Sequence, residues 1–481
     1  MGGPATKRTI SQEAFDEIVK ENIEDYEMEP AEAVQDAIDS LTLQGVDLSG
    51  IITCIPGESS VEDNPVMKSI DDLMKFLDEF EERELQNLTP LLRNLANLCD
   101  PNDSKDKDSN ANAAIAARNG GVELVTSICE KVSGSGNEEV VVAALLALTS
   151  LLRDVQTAQT FHKCGGPDIV IGILNQDAQS SEILNACFSV IAASATENEI
   201  LKEAFVNLKI DQVMVNTLKG DNKGSFPSMY DSIRVLLTPD DFRVAASQVY
   251  RYARQFAKAG IAEALVDALQ EGLTSPTLVS ASVALKAVAV NDEICRSIAD
   301  RGGIDAVLRC IDDSGEQLNK SVARSCCILL TKLAGSDYNK SAIVEKRGLD
   351  RLISLCGRFA DEPTVIQECT RGCSNNFLAL QVMYIISVLS LRSPDHASRA
   401  IEAGAGDLAI QAMQRFPYAQ QLQRYACIMI RNLVVRNPEN RKILLDNGIE
   451  KIIRKGKENH QSCNAAATDA LRDLGLDNYN L

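Results

Sequence analysis

The chain has no tryptophan, and phenylalanine and tyrosine together make up only 4% of its 481 residues. An interior without large rings has to be aliphatic, and Leu, Ile, Val and Ala suit helices packed on helices. Histidine is almost as scarce: His162, His396 and His460 stand far apart. That scatter removes the commonest general base and the commonest metal ligand as a cluster. There is no serine elbow, HExxH pair or phosphate loop. "GAGDLA" at 404–409 has the spacing of a dinucleotide loop but follows no strand. The reading is a non-enzymatic chain with no cofactor.

Long apolar runs are missing too. Nothing approaches the ~18 to 20 uncharged residues needed to span a bilayer. The opening "MGGPATKRTISQEAF" carries no apolar signal segment, so a cytosolic or nuclear protein is expected. The same opening fits the short myristoylation pattern at Gly2, read here as accidental. The 14 cysteines are then free thiols in a reducing compartment, most of them small hydrophobes. Cys369 and Cys373, spaced C-x3-C, lack the partners of a zinc site.

Charge is present but lopsided. Of the net −20, residues 1–109 hold 9 basic and 26 acidic side chains, a net of −17, and the other 372 residues are almost neutral at −3. An acidic arm does not bind phosphate backbones, so no nucleic-acid partner is expected. Within the arm, Phe15, Ile18, Val19, Ile23 and Tyr26 make one helical stripe behind Ser11 as N-cap. A second amphipathic segment, 31–43, follows Pro30. These boundaries give an acidic helical arm over 1–55, a linker over 56–68 and a repeat array over 69–481.

The array is announced by a phrase that recurs: an amphipathic stretch, a glycine hinge, then a new apolar helix, as in "AARNGGVELV" and "IADRGGIDAVL". The hinges are Gly120, Gly165, Gly260, Gly302, Gly348, Gly404 and Gly448, with Leu208 in the place of a missing one. Successive spacings are 45, 43, 52, 42, 46, 56 and 44 residues. A period in the forties means a helical solenoid, whose units bury their apolar faces against each other. Two units are stretched, at 219–244 and 357–376, and insertions in solenoids are expected as surface loops.

Three helices per unit with a glycine before the next one resemble the armadillo repeat, over roughly 90–481 and best in "YACIMIRNLVVRNPENRKILLDNGIEKII" (425–453). The segment 6–51 and the insert "DSIRVLLTPDDFRVA" resemble one branch of that family. The resemblance implies an all-α, armadillo-type right-handed α-solenoid that binds proteins along a concave groove. Armadillo proteins that hold extended peptides carry an asparagine ladder on the third helix, with tryptophans four residues earlier. Counting back 16 residues from each hinge gives Thr149, Ala192, Lys286, Lys332, Val388 and Asn432. Four residues earlier stand Leu145, Phe188, Ser282, Ile328, Tyr384 and Ile428.

Only Asn432 keeps the ladder, which argues against an import adaptor for basic cargo. The candidate groove residues are instead Lys286, Lys332, Arg392, Arg431, Asn432 and Arg436, a set that favours an acidic or phosphorylated protein segment. The acidic arm is expected either to dock on the array or to cap its first repeat. As alternatives to a scaffold, the arm would suit an assembly chaperone for a basic client, or the array a transport adaptor.

Overall fold

A computed structural model describes residues 8–56, 59–78, 85–100, 109–176, 180–220, 226–359 and 378–476. The Gly2 pattern, the Cys369–Cys373 pair and most of the 357–376 stretch lie outside the described residues. The chain forms two compact units. The first holds everything to Val213 together with Pro239–Ala245, and the second holds Met214–Thr238 and Ala246 onward.

The first unit begins with a short strand, β1 (Arg8–Thr9), and two helices, α1 (Gln12–Glu24) and α2 (Pro30–Leu43), followed by β2 (Val46–Asp47). Ser11 Oγ accepts the Ala14 N–H at 3.2 Å, the expected N-cap, and Pro30 opens α2. The predicted stripe supplies an independent small core of Phe15, Val19, Ala33, Val34, Ala37, Leu41 and Ile51, with Ile18 and Ile23 partly buried around it. Tyr26, placed on the same stripe from sequence, is exposed because α1 ends at Glu24. β1 and β2 pair in parallel, Arg8 with Val46 and Thr9 with Asp47.

Helices then follow as α3 (Pro65–Asp78), α4 (Leu85–Cys99), α5 (Ser109–Arg118), α6 (Gly121–Val132), α7 (Glu138–Leu151), α8 (Val155–Lys163), α9 (Gly166–Leu174), α10 (Ser181–Ala195) and α11 (Glu199–Asn207). The long helices α4, α7 and α10 lie side by side in one layer, and α6 and α9 in another. The arm sits at the start of this stack. Arg118 at the end of α5 donates to the Ile10 carbonyl at 2.9 Å. Gly50, at φ +79°, lies so close to α5 that a Cβ would come 2.7 Å from the Ala114 carbonyl oxygen. This is the placement of a cap on the first repeat.

α12 (Ile210–Lys219) straddles the division. The second unit continues with α13 (Pro227–Leu236), α14 (Ala246–Ala259), α15 (Ile261–Gln270), α16 (Leu278–Val288), α17 (Asp292–Asp300), α18 (Gly303–Glu316), α19 (Lys320–Leu333), α20 (Asp337–Glu345) and α21 (Gly348–Arg358). After the undescribed stretch come α22 (Leu378–Ser390), α23 (Pro394–Glu402), α24 (Ala405–Arg415), α25 (Gln420–Val434), α26 (Pro438–Asp446), α27 (Ile449–Asn459) and α28 (Asn464–Asp473). Here α13, α16, α19, α22, α25 and α28 form one continuous layer of long helices, each packed on the next. The stretch 219–244, expected as a surface insertion, is corrected by α13. Met229, Tyr230, Ile233 and Leu236 are buried, so this segment supplies the long helix of its own repeat.

The hinges divide two jobs between neighbouring residues. Six of the seven hinge glycines have φ between 73° and 102°, the left-handed region that costs an L-residue ~1–2 kcal/mol. The residue after them starts a helix against the previous one: a Cβ on Gly303 would lie 2.6 Å from Ile298 Cγ2 and 2.7 Å from its carbonyl oxygen. Gly348 does this second job, and Arg347 at φ +59° is the true hinge. The glycine-less hinge is likewise Lys209 at φ +63°, not Leu208.

A clasp of charged groups closes the far part of the first unit. Asp241 accepts the Glu199 N–H at 3.2 Å at the start of α11 and holds Arg243 Nε at 2.7 Å. Arg243 also donates to the Glu197 carbonyl at 3.2 Å, and the wholly buried Lys202 ammonium pairs with Asp240. The Arg243 guanidinium, aided by backbone N–H donors, brings the Asp241 carboxyl down to about 2. No helix among the described residues is long and apolar enough to cross a membrane.

Candidate partner-binding face

The long-helix layer of the second unit has one property that the whole-chain charge hides. α16, α19, α22 and α25 contain six basic residues (Lys286, Lys320, Arg324, Lys332, Arg424 and Arg431) and no Asp or Glu. In a chain of net −20, four consecutive helices without a carboxylate leave a face of one sign. Among the other long helices, α4 also lacks acid, while α7 carries Glu138 and Glu139, α10 Glu182, α13 Asp231 and α28 Asp469 and Asp473.

Apolar side chains run through the same face. Tyr384 is 40% exposed on α22, Ile328 on α19 and Ile428 on α25 are half-buried, and Val283 on α16 is half-buried as well. Tyr384 meets Tyr425 edge to face with ring centroids 5.4 Å apart, a favoured geometry that fixes the exposed ring. Beyond the helix ends stand Leu391 and Val435, 44% and 43% exposed. The helices present these residues because their other sides are filled by core leucines, isoleucines and small residues such as Ala281, Ala323 and Ala426.

The six residues expected to form the groove do not all serve one surface. Arg431 turns to the last helix, where Nε lies 3.2 Å from Asp473 and a terminal nitrogen 3.3 Å from Asp469. Asn432 donates its amide to the Ser387 carbonyl at 3.0 Å and its hydroxyl at 2.8 Å, so those donors staple α25 to α22. Lys286 and Lys332 are exposed on α16 and α19. Because Arg347 is the hinge, Thr331 stands at the ladder position and Lys332 one residue beyond it. The same shift replaces Ala192 by the half-buried Ala193.

Arg392 and Arg436 do come together. They line one notch with Ser390, Ser393, Asn432 and Asn437, where the turns after α22 and α25 meet. The two turns repeat a motif, Leu391-Arg392-Ser393-Pro394 and Val435-Arg436-Asn437-Pro438. In each, the residue after the arginine caps the next helix through its side chain: Ser393 Oγ accepts from His396 N–H and Asn437 Oδ1 from Asn440 N–H.

Thiol chemistry is muted. Of the 12 described cysteines, 10 are buried, and burial pushes Cys99, Cys129 and Cys356 up to about 12. No group of His, Cys, Asp and Glu among the described residues could hold a metal ion.

The comparisons with known proteins agree with this architecture. Residues 7–68 match the family described as the Armadillo repeat-containing protein 6 N-terminal domain. The chain is 26% identical over 403 residues to the Armadillo repeat-containing protein 6 homolog of Drosophila melanogaster, covering 82% of this chain and 80% of that protein. It is 25% identical over 404 residues to Armadillo repeat-containing protein 6 of Homo sapiens, covering 81% and 75%. Among solved structures, an engineered protein superposes with a TM-score of 0.54 at 16% identity, over 85% of this chain and 99% of its own. A chain solved in work on a conserved phosphorylation switch in the interaction between cadherin and beta-catenin gives 0.56 at 15% identity, over 85% and 69%. At these identities the structural likenesses speak for the fold alone.

Proposed function

We propose that the chain, an armadillo-type α-solenoid similar to Armadillo repeat-containing protein 6, is a non-enzymatic scaffold whose second unit binds an acidic protein segment along its long-helix layer. The observation that carries this reading is the absence of any carboxylate from α16, α19, α22 and α25, next to an apolar row at Val283, Ile328, Tyr384 and Ile428. An extended segment with alternating apolar and acidic side chains would bury the first kind on the row and set the second beside Lys286, Lys332 and Arg424. Apolar burial supplies most of the affinity, and charge selects the partner and speeds encounter. In this reading Lys286, Lys332, Arg392 and Arg436 meet the partner, while Arg431 and Asn432 hold the helices together.

A basic client, as for an assembly chaperone, has no complement on this face and would have to use the acidic arm. An import adaptor for basic cargo fits the face still less. Fluorescence anisotropy with degenerate peptide pools rich in Glu and Leu, against matched pools rich in Lys and Leu, tests the reading. The acidic pool should bind, and Tyr384→Ala or Lys332→Glu should weaken it by about tenfold. Equal binding of both pools, or no effect of either substitution, sinks the groove.

A further inference from the structure

We infer that the notch between the turns after α22 and α25 is a phosphate site, which takes the phosphorylated side chain of a serine or threonine in the bound segment. The inference rests on the groove reading above and names the chemistry at one end of it. Four observations converge on the notch. Two exposed arginines, Arg392 and Arg436, line it from successive repeats. Two helices of nine residues, α23 and α26, begin there, with the capping residues Ser393 and Asn437 on its wall. Their N-terminal ends direct partial positive charge at whatever occupies the notch. Asn432 stands on the same wall with its amide nitrogen bonded to Ser387, so it fixes the shape of the wall and leaves the donating to the other groups.

The fourth observation is at the floor. Ser390 is 2% exposed, its hydroxyl has no hydrogen-bond partner among the described residues, and it lines the notch. A buried hydroxyl without a partner destabilises the free protein, and that cost is recovered when an acceptor arrives. The whole notch encloses about 10 Å³, room for little more than one oxygen-sized group, so the rest of a phosphate would stand at its mouth. One phosphate oxygen fits against Ser390, leaving the others to the guanidinium groups, whose forked donors match phosphate bidentately.

The surroundings favour a dianion over a carboxylate. Two nearby acids have closer partners, Asp337 with Lys340 at 2.8 Å and Asp395 with Arg399 at 3.4 Å; Asp337 also feels the Arg392 charge, so it offsets part of that arginine while Arg436 keeps its own. A carboxylate brings one charge and two oxygens; a phosphate brings nearly two charges and three free oxygens, enough for both arginines and the hydroxyl. Leu391 and Val435, exposed beside each arginine, would flank the phosphorylated residue with apolar surface.

The test uses the full chain and three fluorescent peptide pools, identical except for a central phosphoserine, serine or glutamate. The phosphoserine pool should bind about tenfold or more tightly than the serine pool, with the glutamate pool close to serine. Arg392→Gln combined with Arg436→Gln should abolish the difference, and Ser390→Ala should reduce it. Arg436→Gln alone, in an exposed turn, repeats the measurement if the pair disturbs folding. No preference for phosphoserine, or a preference that survives both arginine changes, overturns the site. Competition by inorganic phosphate without any peptide preference also overturns it, because the notch then holds a free ion only. The two readings fail separately: a Tyr384-dependent acidic pool with no phosphoserine preference keeps the groove and removes the notch. An arginine-dependent preference that ignores Tyr384→Ala does the reverse.

Discussion

Arg431 Nε lies 3.2 Å from the carboxylate of Asp473, whose side chain is only 10% exposed. The guanidinium is therefore spent on joining the last helix to the one before it. Arg431→Ala should lower the stability of the second unit by about 1 kcal/mol, since Arg472 remains 2.9 Å from Asp473 to share the loss. Denaturant unfolding measures that drop, while peptide affinity should stay unchanged. A fall in affinity without a fall in stability would return Arg431 to the groove.

The two halves of a hinge should respond differently to a methyl group. Gly302 at φ +89° has only the Gln270 amide near its missing Cβ, at 3.8 Å, so Gly302→Ala costs mainly backbone strain, about 1 kcal/mol. Gly303→Ala must displace Ile298, backbone included, and should cost about 2–3 kcal/mol. Arg347 holds the same left-handed conformation with a full side chain. Arg347→Gly should therefore raise stability by about 1 kcal/mol, because its ion pair with Asp350 is exposed and worth little. Midpoints of chemical unfolding compare all three.

Acid should open the clasp around Asp241. Its folded pKa, about 2, is depressed below the ordinary carboxylate value by Arg243. The stabilisation is full above the unfolded pKa near ~4 and is lost as pH falls through the folded value, below which the carboxyl is protonated in both states. Asp241→Asn should cost about 2 kcal/mol at pH 7 and almost nothing at pH 1.5. Amide exchange at the Glu199 N–H, which Asp241 accepts, reads the opening locally.

Thiol labelling should follow burial. Cys54 and Cys164 are the half-buried pair among the described thiols and should react first in the native protein. Cys129 and Cys356, both pushed up to about 12, should wait for unfolding. Mass mapping after brief alkylation checks the order. Rapid modification of Cys129 would contradict the packed interior around α6.

What could be read from the chain beforehand follows from what local chemistry dictates. Gly120, Gly165, Gly260, Gly302, Gly404 and Gly448 were visible because a left-handed turn selects glycine. Lys209 and Arg347 adopt the same turn without the signature, so the register slipped by one residue at both, and Lys332 was assigned a place that Thr331 holds. Phe15 and Val19 could be assigned to a core from helical spacing. The docking of the arm on α5 could not, because it depends on Gly50 lacking a side chain opposite Ala114. The long helix α13 is legible in the spacing of Met229, Tyr230, Ile233 and Leu236, which suits a core-facing helix more than a surface loop. The carboxylate-free run needed helix boundaries before it could be counted, and the notch needed two turns 44 residues apart to be brought together.

A row of helices whose exposed Lys286 and Lys332 meet no carboxylate on the same four helices strains against its own folding, since like charges on neighbouring helices repel unless counterions or guests intervene. The free second unit should therefore be looser in dilute buffer than in moderate salt, a sensitivity the acid-bearing helices α7 and α10 do not share. Its most rigid form is then the one in company: a negatively charged guest would relieve the repulsion along the whole row at once.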